Sequence, residues 1–275
     1  MSLLLAIFLG VVQGVAEFLP ISSSGHLSAL QNLLGVPAAD DSHLLLDVML
    51  HLGTLISICV SLQRELRAII SETSTLLRGD ETRAAAPPNV RTLILIAIAT
   101  LPMLAAIPFY GLIRRLFFNT AFIGFMLLLT GALLFVSSKY LKPGAKTERT
   151  LTIPDALMIG LSQVVSLIPG LSRLGATVSV GLSRGAERGF AVKFSLLLSI
   201  PAVLGSAVVT LAAAVKNGID WSVFPMYLAG LLVAAVVGIL AIQLLRAAAR
   251  RADWSPFAYY CFGAGAFVLL LSIIF

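Results

Sequence analysis

Apolar positions along this chain form long continuous runs rather than a strict alternation, a pattern that predicts helices and not strands. Six runs are long enough to cross a bilayer, which takes roughly 20 apolar residues in a helix. They lie at about 44 to 63, 92 to 113, 118 to 138, 190 to 215, 223 to 245 and 256 to 275. Two further runs are broken by polar clusters. One extends from Ser2 to about Leu34 and is interrupted at Pro20 and the serines after it; the other extends from Ile153 to about Leu182 and is interrupted at "IPGLSR", Ile168 to Arg173. Each half is too short to span alone, so each pair is predicted to enter the membrane, turn at mid-depth and leave on the same side.

The order "broken segment, then three spans" occurs twice, over approximately 1–145 and 150–275, within a single membrane domain of 1–275. An odd number of spans per unit inverts the second copy. The segments "GVVQGVAEFLPISS" and "GLSQVVSLIPGLSR" match Gly10 and Gln13 to Gly160 and Gln163, and Pro20 to Pro169 after one gap. The expected fold is an all-α integral membrane protein with six transmembrane helices plus two re-entrant helix pairs in an inverted-topology repeat. Such repeats characterise transporters whose sites lie where the broken ends meet.

Composition agrees: the 275 residues are 59% hydrophobic and 12% charged, where soluble domains carry about a quarter charged residues. The formal charge of +6 raises nucleic acid as a partner. Its distribution excludes that reading. If segments 64 to 91, 139 to 149, 184 to 193 and 246 to 251 face the cytoplasm, they hold fifteen of the 19 lysines and arginines. That asymmetry follows the positive-inside rule, places the basic residues at anionic headgroups and both termini outside. The start, Met1-Ser2-Leu3, has no basic n-region or cleavage site and is expected to stay in the mature fold. "RELRAIISETSTLLR" has helical spacing and either continues the preceding helix or lies along the interface. Cys59 and Cys261 lack ligand spacing and read as buried small hydrophobes.

Glu17 and Arg173 sit in apolar surroundings, where each charge costs about 2.5–3.5 kcal/mol at a helix centre. If the two breaks meet, the charges neutralise one another. Their polar neighbours point further. Gln13 and Glu17 share a helix face. Ser22, Ser23 and Ser24 are suited to start a short helix whose hydroxyls and free amides attract an anion, and His26 follows three residues after Ser23. At the other break Gly170 eases the turn, Ser172 is a candidate cap, Arg173 offers a planar fork for phosphate oxygens, and Thr177 adds a hydroxyl. These groups best match a phosphate ester or anhydride, with a carboxylate and amide available to a metal. Asp47 and His51, four apart, weigh equally as a supporting pair for the site or a helix-packing pair.

These residues resemble the undecaprenyl-diphosphate phosphatases, also called bacitracin-resistance proteins. The family's first signature reads here as Gln13, Glu17, "FLP", Ser22, Ser23, Ser24, Gly25 and His26; its second, Pro-Gly-x-Ser-Arg-Ser-Gly-x-Thr, reads as Pro169, Gly170, Ser172, Arg173, Gly175 and Thr177. The likeness extends along the whole chain. Gln13 stands where relatives can have Glu, and Leu174 replaces the second serine of Ser-Arg-Ser. The resemblance implies removal of the terminal phosphate of a C55 isoprenyl diphosphate, yielding the lipid carrier of peptidoglycan synthesis. It further implies a catalytic site opening to the extracytoplasmic side of the cell membrane and activity aided by Mg2+ or Ca2+.

On this reading Glu17, Ser23, His26 and Arg173 are catalytic, and Ser22, Ser24, Gly25, Gly170, Ser172 and Thr177 bind substrate. Gln13 and Glu17 hold the divalent cation, and the partner is a polyprenyl diphosphate lipid in the membrane. Arg173 stabilises charge in transfer, and His26 serves as base or acid to Ser23 or water. The sequence leaves the attacking group open between Ser23, His26 and water. The alternative is a polyprenyl-phosphate transporter or flippase using the same headgroup site; a membrane scaffold would leave Glu17, His26 and Arg173 without a purpose.

Overall fold

Pro20 ends the first helix. Proline drives the residue before it to extended backbone, and Leu19 adopts φ −88°, ψ 147°, so α1 (Leu3–Phe18) stops there. The chain restarts as α2 (Ser23–Leu33). The computed structural model describes residues 2–35, 44–78, 87–142, 144–217, 221–251 and 253–274. Beyond α2 it contains α3 (Leu44–Ser61), α4 (Gln63–Leu77), α5 (Pro88–Leu104), α6 (Tyr110–Leu116), α7 (Thr120–Tyr140), α8 (Ile153–Val165), α9 (Arg173–Ser183), α10 (Arg188–Asn217), α11 (Phe224–Arg251) and α12 (Ser255–Ile274). No strand occurs among the described residues; a single isolated bridge joins Lys146 to Ala186.

By length and composition α7, α10, α11 and α12 can each cross a membrane, and α3 with α4 makes a fifth candidate if taken as one bent element. That pair is bent by 75°, so the charged stretch after Leu62 turns away from the axis of α3 rather than continuing it. Residues 79–86 of the expected cytoplasmic segment 64 to 91 lie outside the described residues. The run expected as one span at 92 to 113 is not one helix. α5 ends at Leu104 with Pro102 inside its last turn, and a 3-10 turn at Ile107–Phe109 separates it from α6. Two prolines, Pro102 and Pro108, explain the break, since each lacks a backbone N–H and crowds the preceding turn.

The long helices pack in pairs, α12 on α7, α1 and α3 on α11, α8 on α5, and α10 on α3. Small residues allow close approach, as is usual between helices in lipid: a Cβ on Gly10 would lie 2.6 Å from the Gly230 carbonyl oxygen. Large apolar side chains such as Val208, Val236 and Phe267 remain at least 60% exposed on the outer faces, far more apolar surface than water tolerates in one band. This is a multi-pass membrane protein. Cys261 is buried as expected, whereas Cys59 is exposed on α3, outside the core.

Candidate active site

The two breaks cross at a pair of glycines. A Cβ on Gly25 would stand 2.7 Å from the Gly170 Cα, and Gly170 itself adopts φ +97°, a conformation that other residues rarely take. α7 fixes the second break from behind: the Thr130 hydroxyl donates to the Gly170 carbonyl at 2.7 Å and accepts from the Ser172 N–H at 3.0 Å. Ser22 and Ser172 play matching parts, each accepting from the N–H three residues on, of Gly25 at 3.2 Å and Gly175 at 3.1 Å, to cap α2 and α9. Ser22 does so at φ +73°, the one non-glycine residue with positive φ among those described. A serine held in that region stores strain that its surroundings must offset. Its carbonyl is tied down by the His26 backbone N–H at 3.2 Å and lies 2.8 Å from His26 Nδ1.

The crossing brings Glu17 and Arg173 together. Arg173 Nη2 donates to Glu17 Oε1, and Nη1 reaches the Ser199 carbonyl on α10 at 3.4 Å. The other Glu17 oxygen accepts from the Ser23 hydroxyl at 2.6 Å and from Gln13 Nε2 at 3.1 Å. The Glu17 side chain is 4% exposed and that of Arg173 21%, so the arginine side chain keeps open surface where the carboxylate has almost none.

A cavity of about 480 Å3 opens beside this pair. Ser22, Ser23, Ser24, Ser172, Glu17 and Arg173 form its polar end, while Leu104, Ile107, Phe117, Leu167, Val203 and Val209 supply apolar wall. Several residues expected at the site are absent from this lining. Gly25 and Gly170 form the crossing beneath it. Thr177 turns away, its hydroxyl 2.5 Å from that of Ser195 and donating to the Arg173 carbonyl at 2.8 Å. His26 faces α12, with Nε2 2.9 Å from the Tyr260 hydroxyl and the two rings stacked at 5.5 Å. Gln13 is fully buried under Glu17, and its Oε1 has no partner.

That orphaned oxygen bears on the expected divalent cation. Among the described residues no cluster of three or more His, Cys, Asp or Glu side chains is placed to hold a metal. Mg2+ nevertheless binds through one or two protein groups when phosphate oxygens or water complete the shell, and Ca2+ accepts the same oxygen donors in a larger shell. Gln13 Oε1 and the Glu17 carboxylate fit that partial role.

The lining also includes Gln31, Asp47 and His51, and Gln163 from the second half. Gln31 Nε2 donates to Asp47 Oδ1 at 3.2 Å, and His51 Nδ1 lies 2.7 Å from the Asp47 carbonyl. The four-residue spacing of Asp47 and His51 was their signal in the sequence; its cost in an apolar helix is the reason to weigh it toward the cavity. Gln163 was visible only as the repeat counterpart of Gln13.

The two broken helices thus bring a serine, a carboxylate and a guanidinium onto one cavity that is polar at one end and apolar along its wall. The profile described as "Bacitracin resistance protein BacA" matches residues 6–267, and the chain belongs to that family. It is 38% identical over 233 residues to the undecaprenyl-diphosphatase of Alkaliphilus metalliredigens, covering 82% of this chain and 83% of the relative. It is 37% identical over 225 residues to that of Carboxydothermus hydrogenoformans, covering 80% and 79%. The undecaprenyl-diphosphatase of Methanobrevibacter smithii is 36% identical over 218 residues, or 77% of each chain.

Proposed function

We propose that this chain hydrolyses undecaprenyl diphosphate, or a related polyprenyl diphosphate, to the monophosphate and inorganic phosphate. The observation that carries the reading is the Ser23 hydroxyl donating to Glu17 at 2.6 Å, with Arg173 on the other carboxylate oxygen, at the polar end of the cavity. Relatives named undecaprenyl-diphosphatase support it. Release of the monophosphate lipid would recycle the carrier for cell-wall synthesis, sustain cell shape and confer bacitracin resistance.

Ser23 is the nucleophile. Glu17 takes its proton as the oxygen attacks the terminal phosphorus, so the carboxylate acts as general base to a hydroxyl already aligned with it. Arg173 turns its open surface to the phosphoryl oxygens, and the α2 and α9 starts add their amides. The phosphorus–oxygen bond to the bridging oxygen breaks, and the prenyl monophosphate leaves along the apolar wall. Gln13 and Glu17 would hold Mg2+ or Ca2+, which when bound supplies further positive charge to the phosphates. His26 acts from behind the cavity, bracing the Ser22 carbonyl and so the position of Ser23. Ser22, Ser24 and Ser172 offer hydroxyls to the headgroup; Gly25 and Gly170 allow the breaks to touch, and Thr177 supports Arg173 through its carbonyl.

Transport of the same headgroup is not favoured: a carrier gains nothing from a hydroxyl paired to a buried carboxylate. The finer fold belongs to this proposal too. Six crossings and an inverted repeat are supported by exchange-symmetric packing, with α1 on α11 answered by α8 on α5, and with Gly10 against Gly230 answered by Gly160 against Ala99. The basic residues support placing their loops in the cytoplasm of a bacterial-type cell and the cavity mouth on the outer side of its plasma membrane. The test is phosphate release from polyprenyl diphosphate by the purified full chain in detergent, where no second compartment exists. Release that persists unchanged in Ser23→Ala would reject the nucleophile; no release from the parent protein under any divalent cation would reject hydrolysis.

A further inference from the structure

Hydrolysis through Ser23 has two halves, and Glu17 is committed to the first. Its Oε2 holds the Ser23 hydroxyl and Gln13, its Oε1 holds Arg173, and the proton it takes from Ser23 must later be returned. Water that opens a phosphoseryl enzyme therefore needs another proton acceptor. Among the described residues, the ionisable side chains lining the cavity are Glu17, Asp47, His51, Arg114 and Arg173. The arginines are permanent cations. His26 is outside the lining, with both ring nitrogens engaged by the Ser22 carbonyl and Tyr260.

His51 differs from all of these. Its Nδ1 lies 2.7 Å from the Asp47 carbonyl oxygen, which can only accept, so Nδ1 carries a proton, and in the neutral ring Nε2 is the nitrogen with the free lone pair. The bond through Nδ1 is the one hydrogen bond the imidazole makes among the described residues. Asp47, one turn earlier on the same face of α3, places a carboxyl where it interacts electrostatically with His51. Gln31 completes the group: it is 1% exposed, it donates to Asp47 Oδ1 at 3.2 Å, and its Oε1 is buried without a partner. A histidine that merely packs helices has no need of a carboxyl and a buried amide with an open acceptor beside a cavity. An acceptor left open there suits the second proton of a bound water.

We propose that His51, held through Nδ1 by the Asp47 carbonyl and flanked by the Asp47–Gln31 pair, is the general base for the water that hydrolyses the phosphoseryl intermediate. The proposal rests on Ser23 as the nucleophile. The water oxygen bonds to phosphorus as the bond from phosphorus to Ser23 Oγ breaks. The water proton passes to His51 Nε2, Ser23 Oγ recovers its proton from Glu17, inorganic phosphate leaves, and His51 releases its proton to solvent.

The experiment uses the full chain in detergent with polyprenyl diphosphate carrying a radioactive terminal phosphate. His51→Gln keeps a polar side chain of similar reach and cannot take the proton. Steady-state phosphate release should fall about 100-fold, while one equivalent of lipid monophosphate appears rapidly and the label remains on the protein at Ser23, located by peptide mass spectrometry. His51→Ala should regain turnover with added imidazole, a response that a packing role would not give. Asp47→Asn should show a smaller loss with the same retained label. His51→Gln turning over within two-fold of the parent, or slowly with no label on the protein, overturns the assignment. Ser23→Ala separates the failures. At the parent rate it rejects the phosphoseryl reading itself; inactive, beside a slow and unlabelled His51→Gln, it leaves that reading standing and rejects only the base.

Discussion

Glu17 and Arg173, 156 positions apart in the chain, pair at the crossing of the two helix breaks, and the second Glu17 oxygen carries the Ser23 hydroxyl. With Gln13 on that same second oxygen, three groups from two halves of the chain meet around one carboxylate. Its chemistry and its structural role are separable. Glu17→Gln keeps shape and loses the proton acceptor, and phosphate release should drop about 100-fold or more. Because it also leaves a part-buried guanidinium unpaired, stability should fall by up to about 3–5 kcal/mol. Loss of turnover per folded molecule, measured well below the lowered thermal transition, is the sign of catalysis; full activity would make the carboxylate structural.

The glycine crossing gives a steric prediction. Gly25→Ala places a methyl 2.7 Å from the Gly170 Cα and 3.1 Å from its nitrogen. Backbone on the far side cannot swing away, so the two breaks must separate, at a cost of about 1–3 kcal/mol and with the Glu17–Arg173 pair drawn apart. Gly263→Ala, whose Cβ meets nothing within 4 Å, is the control and should leave both stability and activity unchanged.

The breaks were legible because proline, glycine and serine act locally: Pro20 fixes Leu19, and Ser22 and Ser172 cap α2 and α9. The pairing of Glu17 with Arg173 was legible because two opposite charges in apolar runs need each other. The direction of side chains was not. His26 reads as a neighbour of Ser23 along the chain, yet the restart of the helix from positive φ at Ser22 sends its ring to Tyr260 on α12. Thr177, one turn after Arg173, is drawn to Ser195 on α10. Both outcomes depend on helices far away in sequence, as does the cavity that promotes Asp47, His51 and Gln31.

His26 and Tyr260 supply the next test. Tyr260→Phe removes the hydroxyl near Nε2 and keeps the stacked ring, a loss of about 0.5–1.5 kcal/mol. If His26 braces Ser22, turnover should fall by less than about ten-fold, in line with one weakened hydrogen bond in that brace, and the KM should change little. A loss as deep as that of Ser23→Ala would instead put the imidazole in the reaction.

Away from the cavity, Asp155 anchors the start of α8. Its fully buried carboxylate accepts from Lys146 at 2.7 Å, Arg184 at 2.8 Å and the Thr152 hydroxyl at 2.8 Å, in a capping box with Thr152. Asp155→Asn removes the charge from two cations and should lower the unfolding midpoint in detergent. Phosphate release per folded molecule, measured well below that midpoint, should match the parent. A selective loss of activity at unchanged stability would tie this cluster to the reaction.

Arg173→Lys distinguishes charge from geometry. The guanidinium spends Nη2 on Glu17 and reaches the Ser199 carbonyl with Nη1, so its fork is held in a fixed plane while the side chain lines the cavity. Lysine conserves the charge, but a single ammonium cannot serve Glu17, Ser199 and two phosphoryl oxygens at once. If Arg173 stabilises charge in phosphoryl transfer, the lysine variant should stay folded and lose about 100- to 1,000-fold in rate, as when one oxyanion donor is removed. If it serves only to neutralise Glu17, lysine should restore most activity, and Glu17→Gln combined with Arg173→Gln should recover stability and turnover together. Phosphate release and thermal unfolding measured on these variants decide the matter, since a fully active Arg173→Lys is incompatible with a forked contact to the phosphate.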